Sequence, residues 1–324
     1  MRYPTVLASV GLTLAAPVAA RGQDVTLLQP ASVLAMPFDV TTNKASFQIV
    51  SRIGPSFGGA GVRTHWVFWS ADCRHLVDVF ITLTAGDSVV VDPRRVQGEV
   101  QSLNPPRNEP VGPVVDLGGE RGVVTVTALA PDGAVTPQLV GGWTIADLVS
   151  QAAFGADALG FATDAALPDP FLLAGGILVP TFDPDTLDDS QVIVIGLEAG
   201  DDGIVPIGRP ADELGGAHVC CDVAFIDDLE TGFSLPTFCF ACVGFAAIAG
   251  DLADAGEVPL IPPATVATSS GVLQLRSCRS GTLDGTVTPV GEGDLPQFLF
   301  AFHGQAVGPF GAAIGGKYTG VPPR

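Results

Sequence analysis

Hydrophobic and polar positions alternate with a period of two along much of this chain. In residues 45–53, ASFQIVSRI, the side chains Phe47, Ile49 and Ser51 fall on one face. Residues 64–70, THWVFWS, are aromatic and β-prone. The clearest pattern lies in 75–93, where Val77, Val79, Ile81 and Leu83 alternate with Asp78, Phe80, Thr82 and Thr84. That is the period of a half-buried strand. Ala85, Gly86 and Asp87 then supply a turn, and the run 88–91 returns with Val89 opposite Leu83 and Val91 opposite Ile81. Pattern and turn together predict a hairpin with these four residues on its inner face.

Residues 122–129 predict another strand, ended by Pro131-Asp132-Gly133. The four prolines of 104–113 cannot feed a ladder and mark a loop. From Thr144 the spacing changes. Ile145, Leu148, Val149 and Ala152 recur at helical intervals with Thr144 as N-cap, interrupted by Gly155 and Gly160. Strands resume in 190–198, whose continuous apolar run predicts burial on both faces, and in 270–278 and 295–307. No repeat of fixed period is present.

Many short strands with frequent turn signals predict a mainly β fold: an antiparallel β-sandwich, one enlarged or two associated, with at most one or two short helices. The predicted division is a signal peptide over 1–20 and an amino-terminal β-sandwich region over 21–143. A helical connection over 144–168 and a carboxy-terminal, cysteine-containing β region over 169–324 follow.

Composition narrows the function classes. The signal reading rests on Arg2, an apolar stretch from Val6 to Ala16, and small residues at Val18 and Ala20. It predicts export to the periplasm or the extracellular space after cleavage near Ala20. Net charge is −19, from 15 Lys+Arg against 34 Asp+Glu. Such a field repels phosphate backbones, and no basic run offsets it, so nucleic acid is excluded as a partner. The apolar stretches 171–182 and 238–250 are too short to span a bilayer, and the few tyrosines supply no aromatic girdle for a membrane barrel.

Four of the six cysteines lie in 218–242, HVCCDVAFIDDLETGFSLPTFCFAC. Three chemistries compete there. His218, Cys220, Cys239 and Cys242 could form a tetrahedral zinc site, although only Cys239-x-x-Cys242 has the usual ligand spacing. Cys239 and Cys242 could form a redox pair, although the flanking phenylalanines are unlike those of thioredoxin-type motifs. An exported chain with an even cysteine count favours structural disulfides. Strand parity suggests Cys221 with Cys239 and Cys220 with Cys242, which leaves Cys73 with Cys278.

Other motifs are weaker. Gly54-Pro55-Ser56-Phe57-Gly58 matches the G-x-S-x-G pattern of hydrolases, but a glycine loop and a strand follow it, not a helix. Residues 64–78 bring together two tryptophans, His65, His75 and Asp78. They read as a core strand, a turn at Asp72 and Cys73, and a second strand, with a ligand platform or a metal site on His65, His75 and Asp78 as the functional alternatives. Asp183, Asp185, Asp188 and Asp189 offer carboxylates on a turn, as calcium requires, but without EF-hand spacing. No cofactor is implied beyond calcium.

The reading that results is a secreted, disulfide-stabilised, non-enzymatic surface, structural or adhesive module, with surface proteins or glycans as the fitting partners. An exported hydrolase or a calcium-dependent binding protein using the acidic loops is the first alternative. A periplasmic zinc or thiol-redox protein is the second.

Overall fold

Alternation in the first half becomes ten strands in two sheets. The computed structural model describes residues 30–53, 61–96, 101–102, 114–149, 152–161, 177–181, 190–200, 203–206, 218–227, 232–247, 271–281, 298–305 and 316–319. The strands are β1 (Val33–Asp39), β2 (Lys44–Arg52), β3 (Val62–Ser70), β4 (His75–Leu83), β5 (Ser88–Val91), β6 (Gln101–Ser102), β7 (Arg121–Leu129), β8 (Leu139–Asp147), β9 (Ala152–Asp157) and β10 (Leu159–Phe161). One sheet runs β10-β1-β7-β3-β4 and the other β6-β5-β2-β8-β9, with antiparallel pairing throughout. A single 3-10 turn, Pro93–Arg95, is the one helical element among the described residues.

The inner faces meet in an aromatic core. Trp66, Phe38 and Phe68 are fully buried, and the last two meet edge to face at 5.6 Å between centroids. The polar atoms of Trp66 and Thr64 drawn inside with them are paired. Trp66 Nε1 donates to Thr64 Oγ1 at 2.8 Å, and Thr64 Oγ1 donates to the Ile81 carbonyl at 2.7 Å. Without such partners each would cost about 1–3 kcal/mol.

The carboxy-terminal strands are β11 (Ile177–Thr181), β12 (Ser190–Gly200), β13 (Gly203–Pro206), β14 (His218–Asp227), β15 (Gly232–Phe240), β16 (Val243–Ala247), β17 (Gly271–Gly281), β18 (Phe298–Gln305) and β19 (Gly316–Thr319). They form a sheet β11-β17-β14-β15 and a sheet β13-β12-β18-β19, to which β16 adds by pairing with β12. The continuous apolar run of β12 is buried on both faces, as its lack of alternation predicts. The outward residues Ala35 of β1 and Val123 of β7 are buried too. Ile193, Ile195, Leu197 and Phe245 belong to the same continuous core as the amino-terminal sheets.

Three local expectations change in three dimensions. Within the helical connection expected over 144–168, the described residues 144–149 and 152–161 form strands and a turn. Thr144 lies in the middle of β8, and the chain turns at Leu148 and Val149 into β9 and β10. Trp143 and Ile145 alternate inward, whereas Leu148 and Val149 are 56% and 72% exposed, so the helical spacing marks no common face. Asp147 makes the turn by accepting from Val149 N at 2.8 Å. The amino-terminal pair of sheets therefore extends through Phe161.

The hairpin over 75–91 is instead an arch between sheets. β4 pairs with β3, and β5 pairs with β2 and β6. Val79, Ile81, Leu83, Val89 and Val91 are buried as expected, but they line two opposed sheets. Gly86 adopts φ +81°, open to glycine at little cost. Asp87 closes the corner by accepting from Thr84 N at 2.7 Å and from the Thr84 hydroxyl.

β2 keeps its predicted parity with an unexpected orientation. Phe47 and Ile49, on the face they share with Ser51, point outward and are each 39% exposed. The inward side chains are Ser46, Gln48, Val50 and Arg52. Arg52 is 1% exposed. Its Nε donates to Gln138 Oε1 at 2.8 Å and its Nη1 to the Leu83 carbonyl at 3.1 Å. Burial pushes the Arg52 pKa below the usual arginine value, and the charge of Asp87 opposes that shift.

Candidate functional site

The outward positions of β3 and β4 carry the densest chemistry among the described side chains. Register places His65 beside Phe80, Arg63 beside Thr82 and Trp69 beside His75. His65 stacks on Phe80 with centroids 4.4 Å apart and planes 6° from parallel. The Arg63 guanidinium lies 3.8 Å from the Phe80 centroid. Trp69 meets His75 edge-on at 5.4 Å. Between the two imidazoles stands Asp78. Its Oδ1 is 2.9 Å from His75 Nε2 and 3.5 Å from His65 Nε2.

An ionised carboxylate only accepts, so an imidazole bonded to it does so through Nε2–H. That tautomer leaves Nδ1 as an acceptor. The three side chains are one-third to one-half exposed, so each contact contributes under about 1 kcal/mol. The strip can offer a flat aromatic and hydrogen-bonding surface to a ligand. Among the described residues, no group of three or more His, Cys, Asp or Glu is arranged to hold a metal ion.

Where β3 turns into β4, the backbone is fixed by Ser70, Asp72 and Arg74. Ser70 N donates to the Arg74 carbonyl at 2.9 Å, and Arg74 N donates to Ser70 Oγ at 2.9 Å. Cys73 there takes φ +67°. Asp72 accepts from the Ser70 hydroxyl and from Arg74 Nε at 3.1 Å. Burial alone would raise the Asp72 pKa, but these bonds and the Arg74 charge hold it below the ordinary value of 3.8. Arg74 also reaches Glu120 at 3.3 Å, and Asp72 and Glu120 together raise its own pKa.

This turn holds one end of a cross-link. Cys73 is bonded to Cys242, 169 residues away, with Cα atoms 5.1 Å apart. Cys242 N also donates to the Ala71 carbonyl at 3.2 Å. The Arg121 guanidinium, at the start of β7, lies 5.1 Å from the Phe245 centroid of β16. The second bridge joins Cys220 of β14 to Cys239, directly opposite on β15, with Cα atoms 4.0 Å apart.

Both pairs differ from those expected. Cys221 does not pair with Cys239, Cys220 does not pair with Cys242, and Cys73 does not pair with Cys278. The assumed register was off by one residue, and a one-residue slip exchanges the faces of a strand. A register shift between Cys221 and Val223 sets the true alignment. Cys242 is out of reach of Cys220 because the chain leaves β15 at Ala241 and enters the other sheet as β16. Cys221 is disulfide-bonded as well, and no described cysteine is a free thiol. The side chain of Cys278 lies outside the described residues.

These bridges overturn two chemistries of the cysteine cluster. Zinc on His218, Cys220, Cys239 and Cys242 would need thiolates, but its three sulfurs are in disulfides. The Cys239–Cys242 redox pair fails because each cysteine is bonded to a different partner. The side chain of His218, the carboxylates Asp183, Asp185, Asp188 and Asp189, and Ser56 lie outside the described residues.

The buried set Arg52, Gln138 and Asp87 and the outward apolar face of β2 were not singled out from sequence. A signal was present. Ser46, Gln48 and Arg52 share one parity while Phe47 and Ile49 share the other. No family model, no curated protein and no solved structure matches this chain.

Proposed function

We propose that this protein is an exported, non-enzymatic surface or adhesive module, a disulfide-stabilised β scaffold that presents side chains to other surface proteins or glycans. The Cys73–Cys242 bridge carries this reading. It covalently joins segments far apart in the chain, at a turn adjoining the β3–β4 strip, and such bonds are characteristic of oxidising compartments and rare in reducing ones. The aromatic edge and imidazoles of that strip suit a planar, hydroxyl-bearing ligand. Stacking supplies affinity there and Nδ1 acceptors supply orientation.

Two measurements test it. A thiol count on denatured, unreduced protein is expected to find none of the six cysteines free, and four or more free thiols would refute the bracing. Labelled protein applied to arrayed surface glycans and to intact cells is expected to be retained. Replacing Trp69 and Phe80 together by alanine should remove that retention. Retention unchanged in this double variant would rule out the strip as the binding surface. The alternative of a calcium-dependent protein rests on the carboxylates at 183–189, and a melting shift in millimolar calcium would favour it.

A further inference from the structure

We propose that the outer face of the sheet β6-β5-β2-β8-β9 is a contact between two copies of this chain, related by a two-fold axis. The proposal is independent of the adhesive reading above. It starts from the orientation of β2, which places Ser46, Gln48 and Arg52 inside and Phe47 and Ile49 outside. Gln48 Oε1 is buried there without a hydrogen-bond partner. An inward polar row and an outward apolar row are the reverse of what a solvated sheet face requires. The outward row therefore has the character of a surface meant to be covered.

The relief of the face fits a second copy. Register sets Phe47 beside Thr144, which lies beside Gly155, and sets Ile49 between Val90 and Gly142. Phe47, Ile49 and Val90 thus form a ridge on β2 and β5. Gly142, Thr144 and Gly155 form a trough on β8 and β9, continued by the Ala146–Ala153 pair. A two-fold rotation lays the ridge of one copy in the trough of the other, as an isologous interface demands.

Charge and area agree. In a chain of net charge −19, Asp157 is the only charged side chain at the outward positions of β2, β5, β8 and β9. Two acidic copies meet there with their charges held apart, whereas an anionic bilayer would be repelled by the rest of the molecule. Strands of four, nine, nine and six residues, about 4.8 Å apart, give a face on the order of 450 Å². Leu148 and Val149 at one end and Ile53 at the other extend it with exposed apolar surface. The total approaches the roughly 800 Å² per partner of an ordinary stable interface.

Sedimentation equilibrium of the oxidised full chain decides the matter. A reversible dimer is expected over about 1–300 μM protein, as befits an interface at the lower end of the stable range. Ile49→Asp in the ridge and Ala146→Asp in the trough should each weaken it at least about tenfold. Thr82→Asp, on the exposed face of β4, should leave it unchanged. Melting curves confirm that each variant folds, and Phe47→Ser serves if an aspartate variant does not. A monomer at every concentration overturns the proposal. So does a dimer that survives both aspartate substitutions. Co-sedimentation of the wild type with neutral phosphatidylcholine vesicles, lost in Ile49→Asp, would overturn it in favour of a lipid surface.

Discussion

A single buried cation holds the corner of the amino-terminal sandwich. Arg52 meets Asp87 through the backbone as well as by charge, since Arg52 N donates to the Asp87 carbonyl at 2.9 Å. Gly86 N donates back to the Arg52 carbonyl at 3.2 Å. With its side chain also on Gln138 and the Leu83 carbonyl, one residue ties β2 to the arch and to the segment before β8. Arg52→Ala would leave Gln138 Oε1, the carbonyl and the charge of Asp87 without their partner. Removing one member of a buried charged set costs about 3–5 kcal/mol. A urea denaturation curve should show a loss of about that size, and Arg52→Met combined with Gln138→Leu should recover part of it by filling the space with apolar atoms. A loss under about 1 kcal/mol for Arg52→Ala would mean that water replaces the guanidinium at the corner. The arginine is visible in the sequence, but its burial is not, because nothing local says which face of β2 turns inward.

At the scale of elements, close backbone approach decides where side chains are tolerated. Gly122 in β7 lies against Trp69 of β3, and a Cβ there would stand 1.8 Å from the Trp69 carbonyl oxygen. Gly142 in β8 has more room, with its nearest backbone atom at 3.1 Å. Gly122→Ala must push two central strands apart and should cost at least about 2 kcal/mol, in the range of an overpacked core. Gly142→Ala should cost under about 1 kcal/mol. The comparison of denaturation midpoints checks the ranking, and equal costs would contradict it. The arch at Thr84–Asp87 teaches the same lesson about legibility. Alternation identified all five buried residues of β4 and β5. It could not separate a hairpin from an arch, since the two share the same burial pattern and differ only in where the backbone finds its hydrogen-bond partners.

Across the whole molecule, the Cys73–Cys242 and Cys220–Cys239 bridges act on different spans. Cys73–Cys242 closes a loop of 169 residues and Cys220–Cys239 one of 19. If a bridge acts by restricting the unfolded chain, the longer loop contributes about 5 kcal/mol and the shorter about 3 kcal/mol as upper values. Cys73→Ser with Cys242→Ser should therefore lower the melting temperature more than Cys220→Ser with Cys239→Ser. The reverse order in thermal melts would show that the local cross-strand bond carries the greater share. Losing the long bridge removes a covalent tie between β16 and the turn before β4. The backbone bonds from Cys242 and Val243 to Ala71 and the shared apolar core remain.

What the sequence determined by itself was local and periodic. Alternation placed most strands, set the parity of β2, β4 and β5, and marked β12 as buried on both sides, because a strand's two faces are written into every second residue. Cysteine count and the export expected from residues 1–20 indicated cross-links in place of metal or redox chemistry. Only the tertiary structure decided which face of β2 is covered, which strands share a sheet, and which cysteines meet. Those are properties of contacts between residues far apart in the chain. The helix expected from Thr144 failed for the same reason: Ile145 and Leu148 have helical spacing, but pairing with β2 and β9 fixed one in the core and the other in a turn.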